Sequence, residues 1–297
     1  MSYVLTLIAD PVRPVLDPSI AAKVAEALRS AGYETTAPDF LAPGVACDIP
    51  FHGQGPKGAE AMARQAIGAA PVDIAVQPQP GRKKKLLAAD MDATLIENEI
   101  VDEIAAVAGL REKIAPITAR SVAGEIDFRT SLKERVALLK GLPMTRYLEA
   151  KNAIRLVPGG KSLIATMRAN GAHTMIISGG FRAFTSYVRD ALGMDEDAAN
   201  DVEIAAGALT GKLVSPVVGR EEKAETLRKT AKRLGLDISE TMAAGDGAND
   251  AAMVSAAGFG VAFRAKPALK KVAAAAIDHG DLTALLYLQG YRREEIH

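Results

Sequence analysis

The sequence predicts an α/β protein: a doubly wound parallel sheet carrying a helical insertion, with a small α+β unit ahead of it. Three observations carry this. Short apolar runs alternate with stretches of helical periodicity over residues 85–263. The stretch 99–156, directly after the first strand of that series, is helical almost throughout. Ahead of both, residues 3–77 read strand, helix, strand, helix, strand, and the turn-rich Pro78-Gln79-Pro80-Gly81 separates the two series. A length of 297 residues also favours two domains over one. The expected bounds are 1–80 and 81–297, with the insertion at about 98–157.

Residues 3–9 form a short apolar run that stops at Asp10-Pro11, which is a strand signature. Over 18–31, Ile20, Ala21, Val24, Ala25 and Leu28 recur at helical spacing, and Gly32 ends the pattern. Strands are expected at 45–51 and 72–77, a helix at 59–69, and a weaker strand within 35–40. That order suggests a ferredoxin-like unit.

The second series opens with a strand at 85–89 that runs into Asp90. Inside the helical stretch, Asp127 reads as the N-cap of a helix that continues to Leu139 and stops at Gly141-Leu142-Pro143. Helices are then expected at 161–170, 181–192, 221–234 and 248–256. Strands are expected at 173–177, 241–244 and 258–263, with a hairpin-like region over 202–218. An insertion after the first strand would lie over the carboxyl edge of the sheet, where such folds bind ligands.

Composition excludes several classes. Lysine plus arginine and aspartate plus glutamate both number 36, so no global field points to nucleic acid or a membrane surface. The basic run Arg82-Lys83-Lys84-Lys85 has no interleaved aromatics that could stack on bases. The single cysteine, Cys47, rules out an internal disulfide and fits a reducing compartment. No secretory signal pattern and no membrane-length apolar run is visible, so a soluble cytoplasmic protein is expected.

Four motifs carry chemistry. Asp90-Met91-Asp92-Ala93-Thr94 follows an apolar strand, and its two carboxylates share a face if the chain stays extended. One carboxylate can bind magnesium and attack phosphorus, while the other protonates a leaving alcohol and then activates water. A polar strand end or a calcium loop is the alternative reading. Gly245-Asp246-Gly247-Ala248-Asn249-Asp250 follows another strand and offers hard oxygen ligands that suit magnesium. Its alternative is a helix N-cap with surface carboxylates. Ser178-Gly179-Gly180 can cradle phosphate or serve as an ordinary turn. Lys223 can neutralise phosphate charge or sit on the surface. The first three each fall at the carboxyl end of a predicted parallel strand, so they can converge.

Taken together, the motifs resemble those of the haloacid dehalogenase-like phosphatases. The strings DMDATLIENEIVDEIA (90–105), SLKERVALL (131–139) and GDGANDAAM (245–253) carry the resemblance, which spans roughly residues 83–292. It implies a Rossmann-like core and a magnesium-dependent phosphatase acting on a small, amino-acid-like phosphomonoester. By resemblance, Asp90 is the nucleophile and a metal ligand, and Asp92 is the general acid/base that lends its backbone carbonyl to the metal. Asp246 completes the direct ligands, and Asp250 supports the site. Ser178, Gly179, Lys223 and Asn249 hold the phosphoryl end. Glu99 and Arg135 take the substrate's ammonium and carboxylate, and Phe128, seven residues before Arg135 on the same helix face, closes over the site. Ala93 stands where the family commonly has serine. The N-terminal unit is ACT-like in its strand–helix order alone, so it is read as a candidate effector-binding or homodimerising module.

Two competitors remain on sequence grounds. One is a same-mechanism phosphatase or phosphotransferase with another small substrate. The other is a phosphoaspartate receiver without turnover, which Asp92 and the helical insertion oppose.

Overall fold

The structure, a computed structural model, describes residues 2–53 and 55–297. The first unit comprises β1 (Tyr3–Ala9), α1 (Pro18–Ser30), β2 (Glu34–Thr35), β3 (Asp39–Ala42), β4 (Ala46–His52), α2 (Ala59–Ile67) and β5 (Val72–Pro78). Its antiparallel sheet has the order β2-β4-β1-β5, with β3 also paired to β4. The weak strand expected within 35–40 is thus two strands, β2 and β3. Period-two alternation sends Leu5, Leu7, Cys47 and Ile49 toward α1 and α2. Asp17 caps α1 by accepting from the Ser19 and Ile20 amides.

The remaining elements are β6 (Leu86–Ala89), α3 (Ile100–Ala108), α4 (Arg111–Val122), α5 (Phe128–Leu138), α6 (Met144–Glu149), α7 (Gly160–Ala169), β7 (His173–Phe181), α8 (Arg182–Leu192), β8 (Glu196–Ala205), β9 (Ala208–Val214), α9 (Arg220–Arg233), β10 (Thr241–Gly245), α10 (Ala251–Ala256), β11 (Phe259–Phe263), α11 (Pro267–Lys270), β12 (Ala275–Ile277) and α12 (Ala284–Leu288). They build a seven-stranded sheet of order β12-β11-β10-β6-β7-β8-β9, parallel except for the β8–β9 hairpin. β6 is first in the chain yet central in the sheet, with β7 on one side and β10 on the other. The winding direction therefore reverses at β6, and a crevice opens there at the carboxyl ends of the strands. Both faces of β6 are buried: Leu86 and Ala88 pack in the cluster with Leu227 and Val254, Leu87 and Ala89 in the cluster with Leu163 and Ile164.

Three expectations change. The reading 173–177 for β7 was too short: the strand runs to Phe181, so Ser178-Gly179-Gly180 lies in extended chain rather than in a turn at a helix N-terminus. The β7–β8 register shifts between Ile177 and Phe181, which takes these three residues out of the pairing with β8. The strand β8 begins at Glu196, well before the expected hairpin; its acids hid it, because Glu196, Asp197 and Asp201 pair with Arg233, Arg189 and Arg182. The chain also does not stay extended after β6: residues 91–95 turn, with Ala93 at φ 51°.

The N-terminal sheet turns its second face to the larger unit, where Ile8, Ala46 and Ala75 join the cluster containing Leu286 and Tyr287. Buried polar contacts tie the two together. Arg82 pairs with Asp48 at 2.6 Å and donates to the carbonyls of Tyr287 and Leu288, and Gln77 also donates to Leu288. Asp73 accepts from the amides of Asp278, His279 and Gly280. Among the described residues, no helix is long and apolar enough to cross a membrane.

Candidate active site

A cleft of about 660 Å³ lies between the carboxyl edge of the larger sheet and the helical insertion. β6 delivers Asp90 to its floor, β7 delivers Ser178 and Gly179, and the turn after β10 delivers Asp246 and Asn249. The insertion supplies Glu99, Phe128 and Arg135 from the opposite wall. Lys223 and Asp250 sit just beneath, both buried.

Lys223 is the electrostatic centre of the floor. Its Nζ lies 2.8 Å from Asp90 Oδ2 and 2.6 Å from Asp250 Oδ1. Burial alone would lower its pKa, but Asp250 and Asp90 outweigh that and hold the ammonium charged. The second oxygen of Asp250 accepts from the amides of Asp246 and Gly247, so this carboxylate is fully engaged. Gly245 is required by that packing, since a Cβ there would lie 2.5 Å from the Asp250 side chain. Asp90 Oδ1 accepts from the Met91 amide, and Asn249 approaches Oδ2 at 3.4 Å.

Asp92 is anchored by the Ile100 amide at 2.8 Å. A Cβ on Gly180 would come within 3.2 Å of its carboxylate and 3.1 Å of Ser178 Oγ, so glycine leaves these polar groups their place. Burial, then the charges of Glu99 and Asp90, raise the Asp92 carboxyl well above the usual range. Glu99 occupies the N-cap of α3 but makes no capping bond. Burial and then Asp246 push its carboxyl up to about 7, against the pull of Lys266.

Phe128 and Arg135 both lie on α5, whose N-cap is Asp127 as expected. The Phe128 ring sits so close over Gly179 that a Cβ there would meet it at 2.5 Å. Arg135 Nε donates to the Ser131 carbonyl, and its guanidinium forms no ion pair among the described residues.

The acidic side chains fit a divalent cation. Asp90, Asp246 and Asp250 bring oxygens within 4.8 Å of one another, and all-carboxylate donors suit a hard ion. Asp250 is turned to Lys223 and two amides beneath the floor, whereas Asp90 and Asp246 line the cleft itself. Burial and then Asp90 raise the Asp246 carboxyl. Burial and then Asp90 also push Asp250 up to about 7. The floor thus carries surplus negative charge that a cation would offset.

Sequence reading missed Lys266, whose Nζ approaches Asp246 Oδ2 at 3.6 Å. It follows the carboxyl end of β11, so the rule that found the other motifs could have found it. It also missed the ion pair of Arg129 with Glu222, which joins insertion to core and has no sequence signal.

Fold and site together define a known class. The sequence profile of haloacid dehalogenase-like hydrolases matches residues 87–255, and the chain belongs to that family. A phosphoserine phosphatase of Streptomyces coelicolor is 38% identical over 301 residues, covering 98% of this chain and 71% of that protein. Among solved structures, a hydrolase of the same family from Salmonella enterica serovar Typhi matches with a TM-score of 0.83 and 28% identity, covering 97% of this chain and 98% of that one. A phosphoserine phosphatase captured as a phospho-aspartyl intermediate analogue matches with a TM-score of 0.65 and 38% identity, covering 69% and 98%.

Proposed function

We propose that this chain hydrolyses O-phosphoserine to serine and phosphate in L-serine biosynthesis, through a phosphorylated Asp90. One observation carries the reading. Asp90 and Ser178 line the cleft with Lys223 just beneath them, while the anion Glu99 and Arg135, which forms no ion pair among the described residues, line it from the helical insertion. These match the phosphate, ammonium and carboxylate of the substrate. The phosphoserine phosphatase names of relatives support the same choice. The lone, buried Cys47 fits the reducing cytoplasm.

Asp90 attacks phosphorus, forming its P–O bond as the ester P–O bond breaks. The departing serine oxygen takes the proton of Asp92, whose carboxyl is raised above the usual range by burial and by the charges of Glu99 and Asp90. Asp92, now a carboxylate, takes a proton from the water that attacks phospho-Asp90. The Asp90–phosphorus bond then breaks and phosphate leaves. Lys223, Ser178 and Gly179 hold the phosphoryl oxygens during both displacements, with Asn249 at the rim, and Asp250 keeps Lys223 in place. Asp90, Asp246 and the Asp92 backbone carbonyl would hold magnesium, which when bound supplies positive charge against the phosphoryl oxygens. Phe128 closes the cleft against water.

The test is phosphate release with magnesium from phosphoserine, phosphothreonine and phosphoglycolate, using wild type and Arg135→Ala. Preference for phosphoserine that depends on Arg135 supports the reading. Preference for phosphoglycolate sinks the substrate assignment.

A further inference from the structure

Four buried side-chain atoms lack a hydrogen-bond partner among the described residues: Thr94 Oγ1, Ser131 Oγ, Tyr147 Oη and His173 Nε2. Of these, only Ser131 belongs to a residue lining the cleft. A buried hydroxyl without a partner is costly, and native proteins keep one where a ligand or water completes it.

Ser131 lies one helical turn before Arg135 on α5, so the two share a face. Its amide donates to Asp127 and its carbonyl accepts from Arg135 Nε at 3.3 Å. The backbone of Ser131 is therefore satisfied, and only the hydroxyl is left over. The same contact holds the Arg135 side chain back along the helix, beside that hydroxyl. Ser131 is fully buried, yet Ser178, another residue of the cleft wall, is 1% exposed, so such enclosure is normal here.

We infer that Ser131 is a specificity residue whose hydroxyl donates to the substrate carboxylate alongside Arg135. An anion suits this end because Arg135 has no ion-pair partner among the described residues, while the ammonium is drawn to Glu99. The inference rests on the phosphoserine reading.

The experiment compares wild type, Ser131→Ala and Arg135→Ala on O-phosphoserine and on O-phosphoethanolamine, which keeps ammonium and phosphate but lacks the carboxylate. Thermal unfolding of the ligand-free proteins is measured alongside. Ser131→Ala should raise KM for phosphoserine about tenfold, the loss of one hydrogen bond to a charged group, with kcat changed less than about twofold. KM for phosphoethanolamine should hardly move. The melting temperature should stay level or rise, because an orphaned hydroxyl is removed. An unchanged phosphoserine KM, equal losses on both substrates, or a lowered melting temperature would each overturn the inference. If Arg135→Ala discriminates between the substrates and Ser131→Ala does not, Ser131 alone is misassigned. If wild type does not turn over phosphoserine, both readings fall.

Discussion

Arg129 in the first turn of α5 forms an ion pair with Glu222 in the first turn of α9, joining the helical insertion to the core. Glu222 is itself held, because its other oxygen accepts from the Gly219 amide at 2.9 Å. The neighbouring Phe128 seats its ring over Gly179. Adjacent residues thus fasten the insertion over the cleft, one by charge and one by packing. Arg129→Ala should loosen this closure without touching the chemistry. Both partners are partly exposed, so the pair contributes at most about 1 kcal/mol, and KM should rise by no more than about fivefold. The difference from wild type should shrink at high salt, and a salt-independent effect would contradict the latch.

Asp90→Asn keeps the shape of the side chain but removes the nucleophilic oxygen charge. Turnover should fall at least about 10⁴-fold while the far-ultraviolet spectrum stays native. Near-normal phosphate release from the folded variant would refute a phosphoaspartate route.

Lys223→Met tests the floor as a structural unit. The substitution leaves Asp90 and Asp250 buried beside each other without their shared cation. Breaking a buried ion pair in this way costs about 3–5 kcal/mol, which should appear as a lower denaturation midpoint. A variant as stable as wild type would mean that the two carboxylates find other partners.

The floor was readable in the sequence because its residues fall at strand ends, where short motifs and strand order point to the same edge. Asp90, Ser178 and Asp246 were placed that way. Lys223 was not: nothing in Arg220-Glu221-Glu222-Lys223 separates a buried lysine from a surface one until α9 is packed beside β7. The first half of β8 was missed for a related reason. Its acids, Glu196 and Asp197, read as loop chemistry, yet in the sheet they are paired by Arg233 and Arg189. The helices of the insertion were legible from periodicity, but the contact of Arg129 with Glu222 spans 93 residues and leaves no local trace.

Surplus acid on the floor predicts a response to metal. Magnesium should raise the melting temperature of the ligand-free protein, since an ion that binds only the folded state stabilises it by mass action. A chelator should reverse the shift and stop turnover. Asp246→Asn removes a cleft-lining member of the acidic cluster and should abolish the shift while leaving the fold intact. A full magnesium response in that variant would place the ion elsewhere.

Buried polar contacts join the N-terminal unit to the larger one. Arg82 is buried, pairs with Asp48, and donates to the carbonyls of Tyr287 and Leu288 at the end of α12. Carbonyls at a helix end have spare acceptor capacity, so the guanidinium adds donors there, beside the Gly290 amide on Tyr287 and Gln77 on Leu288, as it neutralises Asp48. Arg82→Ala would leave the buried Asp48 carboxylate without its cation and remove one donor from each carbonyl. It should cost about 3–5 kcal/mol and open the 78–85 linker to proteolysis. The active-site residues are untouched, so kcat of the remaining folded protein should stay within about twofold of wild type. A large loss of kcat with no change in stability would instead mean that this contact steers the cleft, and that the N-terminal unit acts on catalysis.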